Sequence, residues 1–257
     1  MIDRKQVLWG ITDDEDKLFL SRMCDLSLKS ETTYRIMYSR FLNPKQQMLV
    51  TERLSGYTDV AFFGGFDGAD RVMAAFIPSE WDEPSYPIVG VEIVPTNKRT
   101  YSHRDYLGSL LGLGITRELI GDIIITEKGA VVAVAEEIAD FIMMNLSRVA
   151  SATVKLSVTE DLGIYARENR FKETSATVSS LRLDCVLSAV ANKSRLNSAS
   201  CISEGIVSVN YEIVKNTSHQ IKNGDVISLK GFGKAIVETE GNLTKKGRIH
   251  ISIKKYV

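Results

Sequence analysis

Apolar positions along the first third of this chain recur at helical spacing and then give way to short strand-like runs. Leu18, Phe19, Met23 and Leu26 fall near the helical period. Thr12-Asp-Asp-Glu15 ahead of them has the form of a capping box, in which hydroxyl and carboxylate each satisfy a backbone donor. Asn43-Pro44 predicts a second helix start, with the Asn as cap and Pro in the first helical position, where no N–H is needed. Residues 60–63 read as a strand ending at Gly64-Gly65, and residues 72–77 as another. Together they make an N-terminal α/β domain, residues 1–80, and Pro78, Pro84 and Pro87 punctuate a linker.

The middle, residues 81–160, is more regular. A strand is predicted over 88–94, a helix capped by Ser102 runs to about Gly112, and residues 114–121 make a turn with one short helix. Residues 123–126 and 130–135 pair as a hairpin around 127–129. A helix over 136–147 carries Ile138, Phe141, Ile142 and Leu146 on one face, and a strand over 152–158 closes the set. The order βαββαβ is the ferredoxin-like (RRM-like) arrangement shared by many RNA-recognition domains. It also builds enzymes and small-molecule sensors, so it assigns no function by itself. RNA-recognition domains stack bases on sheet aromatics. The strands at 88–94 and 130–135 contain none, so base stacking is not expected here. Residues 161–177 are polar and read as a connector.

The tail, residues 179–257, reads as a small α/β module of two short helices followed by strands, which makes the whole chain α+β. Ser180 and Ser194 are each placed to cap a helix. Leu183, Val186, Leu187 and Val190 form one apolar stripe, and Cys201 and Ile202 the core of the second helix. Gly205 stands where a left-handed residue ends that helix. Ile206-Val-Ser-Val209 alternates as a half-buried strand, Asn223-Gly224 is a turn, and residues 226–230 form the next strand.

Charge changes the picture. The chain balances 32 basic against 32 acidic residues. Residues 179–257 hold 12 of the basic and 6 of the acidic ones, a net of +6, which leaves 20 against 26 in residues 1–178, a net of −6. Such a split points to a polyanion-binding segment, because Lys and Arg release counterions from phosphates. Arg182 and Arg195, at the starts of the two tail helices, are expected to lie close together with exposed guanidiniums. Lys193, Ser194, Lys230, Lys234, Lys245, Lys246 and Arg248 complete the candidate RNA-binding set. A second candidate RNA surface is the block 101–122, with four glycines and with His103, Arg104 and Arg117 projecting. There bare backbone could approach phosphates; helix caps and tight turns are the other reading of its glycines.

Composition and motifs exclude other classes. Apolar and charged fractions of 44% and 25% are those of a soluble globular protein. No apolar run approaches the roughly 18 residues of a membrane helix, and the N-terminus has no signal-peptide core. Three scattered cysteines (Cys24, Cys185, Cys201) suggest reduced thiols, so a cytoplasmic location and no membrane partner are expected. His103-Arg-Asp imitates a kinase catalytic loop, but Leu110 stands where that loop needs Asn. Gly112-Leu-Gly114 lacks the third glycine of a dinucleotide fingerprint, and residues 241–247 lack the Gly-Lys-Ser/Thr ending of a phosphate loop. The histidines are isolated, and no pair has zinc-ligand spacing. No catalytic site, metal, cofactor or small-molecule substrate is expected.

Arg182-Leu-Asp184, Ser194-Arg195, Ile202, Gly205, Val207, Val209-Asn210 and Gly224-Asp-Val-Ile-Ser228 resemble the S-four RNA-binding domain, named after small-subunit ribosomal protein four. The rest of the chain resembles the YlmH family, over nearly its full length. That likeness rests on His103-Arg-Asp-Tyr-Leu-Gly, Leu-Gly-Leu-Gly-Ile-Thr-Arg117, Ile120-Gly-Asp122, Phe41-Leu-Asn-Pro44 with Gly64-Gly65, and the terminal Thr244-Lys-Lys-Gly-Arg-Ile-His250. The resemblance implies a bacterial, cytoplasmic, noncatalytic RNA-binding protein of translation. Its implied partners are ribosomal RNA or tRNA of the large ribosomal subunit, in quality control of stalled nascent chains. The chain departs from the module's pattern after Arg195, where Leu196, Asn197, Ser198 and Ala199 replace further Lys, Arg or Gln. Two alternatives remain: an RNA-modifying enzyme of the pseudouridine synthase or methyltransferase type, guided by the module, and a protein-binding scaffold for the division machinery.

Overall fold

A computed structural model describes residues 2–78, 83–165, 171–243 and 247–256. The chain divides into two compact units, Met1–Arg167 and Glu168–Val257, so residues 1–80 and 81–160 share the first. Part of the expected linker, residues 79–82, lies outside the described residues.

The first unit opens with α1 (Arg4–Leu8), α2 (Asp14–Thr33), β1 (Met37–Tyr38), α3 (Pro44–Leu54), β2 (Asp59–Phe63) and β3 (Met73–Ile77). The cap of α2 is Asp13 rather than Thr12: its carboxylate accepts from the Asp16 N–H at 2.9 Å. A carboxylate caps as well as a hydroxyl and adds favourable charge at the positive helix end. The α3 start is as predicted, with Asn43 and Gln46 in a reciprocal capping box and Pro44 in the first turn. The antiparallel sheet β1-β3-β2 packs Ala74 and Phe76 against Leu20, Met23, Val50 and Leu54 of the two long helices.

The unit continues with β4 (Ile88–Pro95), α4 (His103–Leu111), β5 (Ile120–Ile125), β6 (Ala130–Ala135), α5 (Ala139–Asn145), β7 (Arg148–Val149) and β8 (Ala152–Thr159). These strands form a sheet of order β5-β6-β4-β8-β7 with every neighbouring pair antiparallel. The helix expected over 136–147 is instead a 3-10 turn, Glu136–Ile138, followed by the shorter α5, and Phe141 lies on its outer flank, 44% exposed.

On one face of the sheet, Val91, Ile93, Val132 and Val134 pack under Tyr106, Leu110 and Ile142 of α4 and α5. Alternation turns Val131, Ala133 and Ala135 to the other face, where Phe41, Phe66, Met73 and Leu162 cover them. Two glycines make room for that cover: a Cβ on Gly121 would stand 2.6 Å from the Phe41 ring, and one on Gly90 would stand 2.7 Å from Leu162. Tyr86, inside the expected linker, packs with ring centroids 5.3 Å from Tyr38 and 5.4 Å from Phe63.

The second unit comprises β9 (Phe171–Val178), α6 (Leu183–Ala191), α7 (Arg195–Ser203), β10 (Val207–Val209), β11 (Glu212–Ile213), β12 (Asp225–Leu229), β13 (Gly233–Leu243) and β14 (Ile249–Tyr256). Its sheet runs β11-β10-β12-β13-β14-β9. The connector expected over 161–177 is corrected here, since most of it is β9, paired with β14 from Phe171↔Tyr256 to Val178↔Ile249. Among the described side chains of β9, Ala176 and Val178 reach the core, and the alternation is too faint to read as a strand. The core sets Leu183, Val186, Leu187 and Ile202 against Val207, Ile227, Ala235, Val237, Ile251 and Ile253. Ser180 does not cap α6; Arg182 holds that position. The Leu183 and Asp184 N–H groups donate instead to the His219 and Thr217 carbonyls at 2.8 and 3.2 Å, which leaves no donor for a serine to satisfy there. Gly205, at φ +72°, closes α7 in the left-handed region as expected.

Candidate nucleic-acid interface

The starts of α6 and α7 meet on one carboxylate. Arg182 donates its Nε–H to Asp184 Oδ1 at 3.2 Å, and Arg195 donates its Nε–H to Oδ2 at 2.8 Å. The Asp184 side chain is 7% exposed, those of Arg182 and Arg195 37% and 55%, so the anion lies inside and the cations face outward. The Cys185 N–H also donates to Oδ1, at 3.0 Å. Burial pushes the Asp184 carboxyl up, but the hydrogen bonds from Arg195 and Arg182 outweigh it and hold it below the usual carboxylate range. The same hydrogen bond lifts the Arg195 guanidinium above its ordinary value. Ionised, the trio carries two positive charges and one negative. With Nε engaged, each guanidinium has four further N–H donors, a fork suited to two-point contact with phosphate.

Ser194 caps α7 through its Oγ, which accepts from the Asn197 N–H at 3.2 Å, and Lys193 beside it is exposed. This helix start adds backbone N–H groups and the positive end of the helix to the arginine pair. Asp184 stands within the Arg182-Leu-Asp184 motif, whose linear pattern does not show that it joins the two arginines. The available signal was an acid in the first turn of a helix, flanked by one arginine at the helix start and another at the next helix start.

The other candidates are dispersed. Lys230 sits exposed in the turn between β12 and β13. Lys234 pairs with Ser228 and so lies on the sheet face away from the helices, since Ile227 and Leu229 point into the core; its Nζ stands 5.9 Å from the Tyr211 ring centroid. Arg248 Nη2 donates to the Thr177 carbonyl at 2.6 Å, tying the entry to β14 onto the end of β9. Lys245 and Lys246 lie outside the described residues. Lys255 places its Nζ 3.6 Å from the Phe232 ring centroid.

In the first unit, His103 opens α4 behind Ser102, whose N–H and Oγ–H both donate to Asp105 at 2.7 Å. Partial burial, then the nearby Arg117, hold His103 below its ordinary value. Arg104 is exposed. Arg117 does not project: its Nη1 turns back to the Ile120 and Gly121 carbonyls, the latter at 3.0 Å. Burial, then Arg71, push its guanidinium down to about 10. Arg71 donates alongside to the carbonyls of Ile120, Phe41 and Arg117 at 3.0, 3.0 and 3.1 Å. The register of β5 against β6 shifts between Ile120 and Ile123, and the arginines occupy carbonyls at that irregularity. Asp122 accepts from the Asp70 N–H at 2.6 Å, and burial raises its carboxyl above the ordinary range. Arg71, Arg117 and Asp122 therefore join the early part of the unit to its five-stranded sheet.

Among the described residues no helix is long and apolar enough to cross a membrane. Residues 82–161 match the family model of the putative RNA-binding domain in YlmH. The cell division protein ylmH from Streptococcus pneumoniae shares the fold, with a TM-score of 0.50 at 23% identity over 58% of this chain and 94% of that one. The ribosome-associated protein quality control protein P2 of Bacillus subtilis (strain 168) is 30% identical over 249 residues, 94% of this chain and 95% of that protein. Identity at that level across almost the whole of both chains places this protein in the YlmH family.

Proposed function

We propose that this chain is a noncatalytic RNA-binding protein that docks on structured RNA of the large ribosomal subunit, ribosomal RNA or tRNA. It acts in the cytoplasm, in translation or in the quality control of stalled nascent chains. The observation that carries this reading is the pair Arg182 and Arg195, held on the buried Asp184 with their outer donors exposed, beside the capped start of α7. The name of the Bacillus subtilis relative supports the ribosomal setting. On this reading residues 179–257, with β9, act as an S-four module, residues 81–160 as a ferredoxin-like domain, and residues 1–80 as an N-terminal α/β domain.

Sedimentation of the full-length protein in a bacterial lysate, at low and moderate salt, tests it. Wild-type protein is expected to migrate with large subunits in a salt-sensitive way, and Arg182→Ala/Arg195→Ala to remain free. Each lost phosphate contact removes about 0.7 to 0.9 from the slope of log affinity against log salt. Unchanged co-migration of the double variant would remove the arginines from the interface, and wild-type protein found only free would remove the ribosome.

A further inference from the structure

On the side of the sheet of residues 82–161 away from α4 and α5, Phe41, Phe66, Met73 and Leu162 cover β5 and β6, and the β4–β8 flank that stays open carries Glu92 beside Lys155 and Ser157. The exposed flank of α5 with the turn before it carries Glu136, Glu137 and Asp140 beside Phe141 and Met144, which repels phosphate. The segment is acidic overall, with 7 Lys and Arg against 12 Asp and Glu. Four of those seven cations, Lys98, Arg99, Arg104 and Arg148, gather at one end. Arg104 and Arg148 line a common cleft. The loop holding Lys98 and Arg99 is fastened to the β7–β8 hairpin that carries Arg148, because the Thr96 N–H donates to the Thr153 carbonyl at 2.9 Å.

That cleft, of about 490 Å³, has one wall from α4 and its cap, Arg104, Asp105, Gly108, Ser109 and Gly112, with the Asp105 carboxylate engaged by Ser102; the opposite wall holds Asn145 and Arg148. Gly108 has no packing reason to be glycine. A Cβ there meets nothing within 4 Å, whereas at Gly90 and Gly121 the space is filled by Leu162 and Phe41. Glycine inside a helix is less stable than alanine, because it loses more backbone freedom on folding. The open backbone at Gly108, set between two arginines, suits a close approach by something outside the chain.

We infer that this cleft is a second RNA contact, one that takes the sugar–phosphate backbone rather than the bases. Arg104 and Arg148, the latter exposed although its Nη2 also holds the Ser151 carbonyl at 2.9 Å, offer their other donors to phosphates, the Asn145 amide oxygen accepts from ribose hydroxyls, and no aromatic side chain lines the cleft to stack a base. This site rests on the RNA-binding reading and relocates the second candidate surface: Arg104 belongs to it, and the inward-turned Arg117 does not.

The test uses the full-length protein with deproteinised bacterial ribosomal RNA carrying 4-thiouridine. Cross-links are expected on peptides spanning 98–112 and 145–151 as well as in the second unit. Gly108→Glu, sterically open, and Arg148→Glu should each weaken binding about tenfold at low salt and lower the salt slope. Gly108→Ala serves as the folded control, and melting of Gly108→Glu guards against a folding defect. Cross-links confined to residues 171–256, with Arg148→Glu binding like wild type, would overturn the cleft and leave the arginine pair standing. Absence of any binding by wild type would overturn both.

Discussion

The two larger sheets of this protein are built alike on one side and differently on the other. In each, helices cover one face with a continuous apolar core. On the second face of the five-stranded sheet, Phe41, Phe66, Met73 and Leu162 cover β5 and β6, while the β4–β8 flank stays open. The second face of the six-stranded sheet presents Ser228, Lys234, Glu238, Ser252 and Lys254, and among the described residues no helix of its own unit lies on it. The strands record the difference. Ala130–Ala135 is apolar at all six positions and buried at all six, while Asp225–Leu229 alternates buried and half-buried residues. A continuous run marks a strand covered on both sides, and alternation marks one covered on a single side. The lesson concerns function as much as packing: with β5 and β6 covered on both sides, the basic residues of this unit are presented by loops and helix flanks rather than by the centre of the sheet.

The largest effect that sharpens the comparison is on stability. Phe41 is 1% exposed and lies against Gly121. Phe41→Ala is expected to cost about 3–5 kcal/mol, measured by urea unfolding of the full chain. Ser252→Ala, on the helix-free face of the other sheet, should stay within about 0.5 kcal/mol. Equal losses from the two substitutions would mean that the two second faces are not differently covered.

Next come two aspartates that burial and partners move in opposite directions. Asp184→Ala leaves Arg182 and Arg195 without their shared acceptor and is expected to cost about 1–3 kcal/mol, with a matching fall in RNA affinity. For pH, Asp184 is depressed in the folded state. Its stabilisation is therefore full above the unfolded value of about 3.9 and is lost as pH falls through the lower folded value. Asp122 is raised, because burial outweighs its backbone hydrogen bonds and Arg117. Its contribution is favourable at low pH and is lost as pH rises through the folded value. Compared with its Asn variant, wild type should thus lose stability on acidification at Asp184 and gain it at Asp122. Urea midpoints from pH 7 down to 3 check both, and parallel trends for the two pairs would refute the assignment.

Much of this architecture was legible. The Asn43-Pro44 start, the hairpin around 127–129, the apolar stripe of α6 and the Gly205 stop all rest on local rules that the structure obeys. What escaped depended on distant partners. β9 is a strand because β14 pairs with it, not because its own pattern is strong. Ser180 is no cap because residues 217–219 supply the acceptors for α6. Arg117 looked like a free cation, yet carbonyls of Ile120 and Gly121, exposed by a register shift, draw it inward. Within the candidate interface, the closeness of Arg182 and Arg195 followed from two helix starts in one small module. The buried Asp184 that fixes their spacing did not, because nothing in a linear pattern says which acid turns inside.

The smallest effect concerns Lys234, which separates the helix starts from the helix-free face. Lys234 sits over Tyr211 and across from Ser228, so Lys234→Gln removes a cation–π contact and one charge without touching the core. Its stability cost should be no more than about 0.5–1 kcal/mol. If RNA does not reach the helix-free face, the salt slope of binding keeps its wild-type value in this variant. A drop of about one, the signature of a lost phosphate contact, would show that RNA also reaches the open sheet. Filter binding of Lys234→Gln beside Arg195→Ala at several salt concentrations decides it, because one slope should move and the other should not.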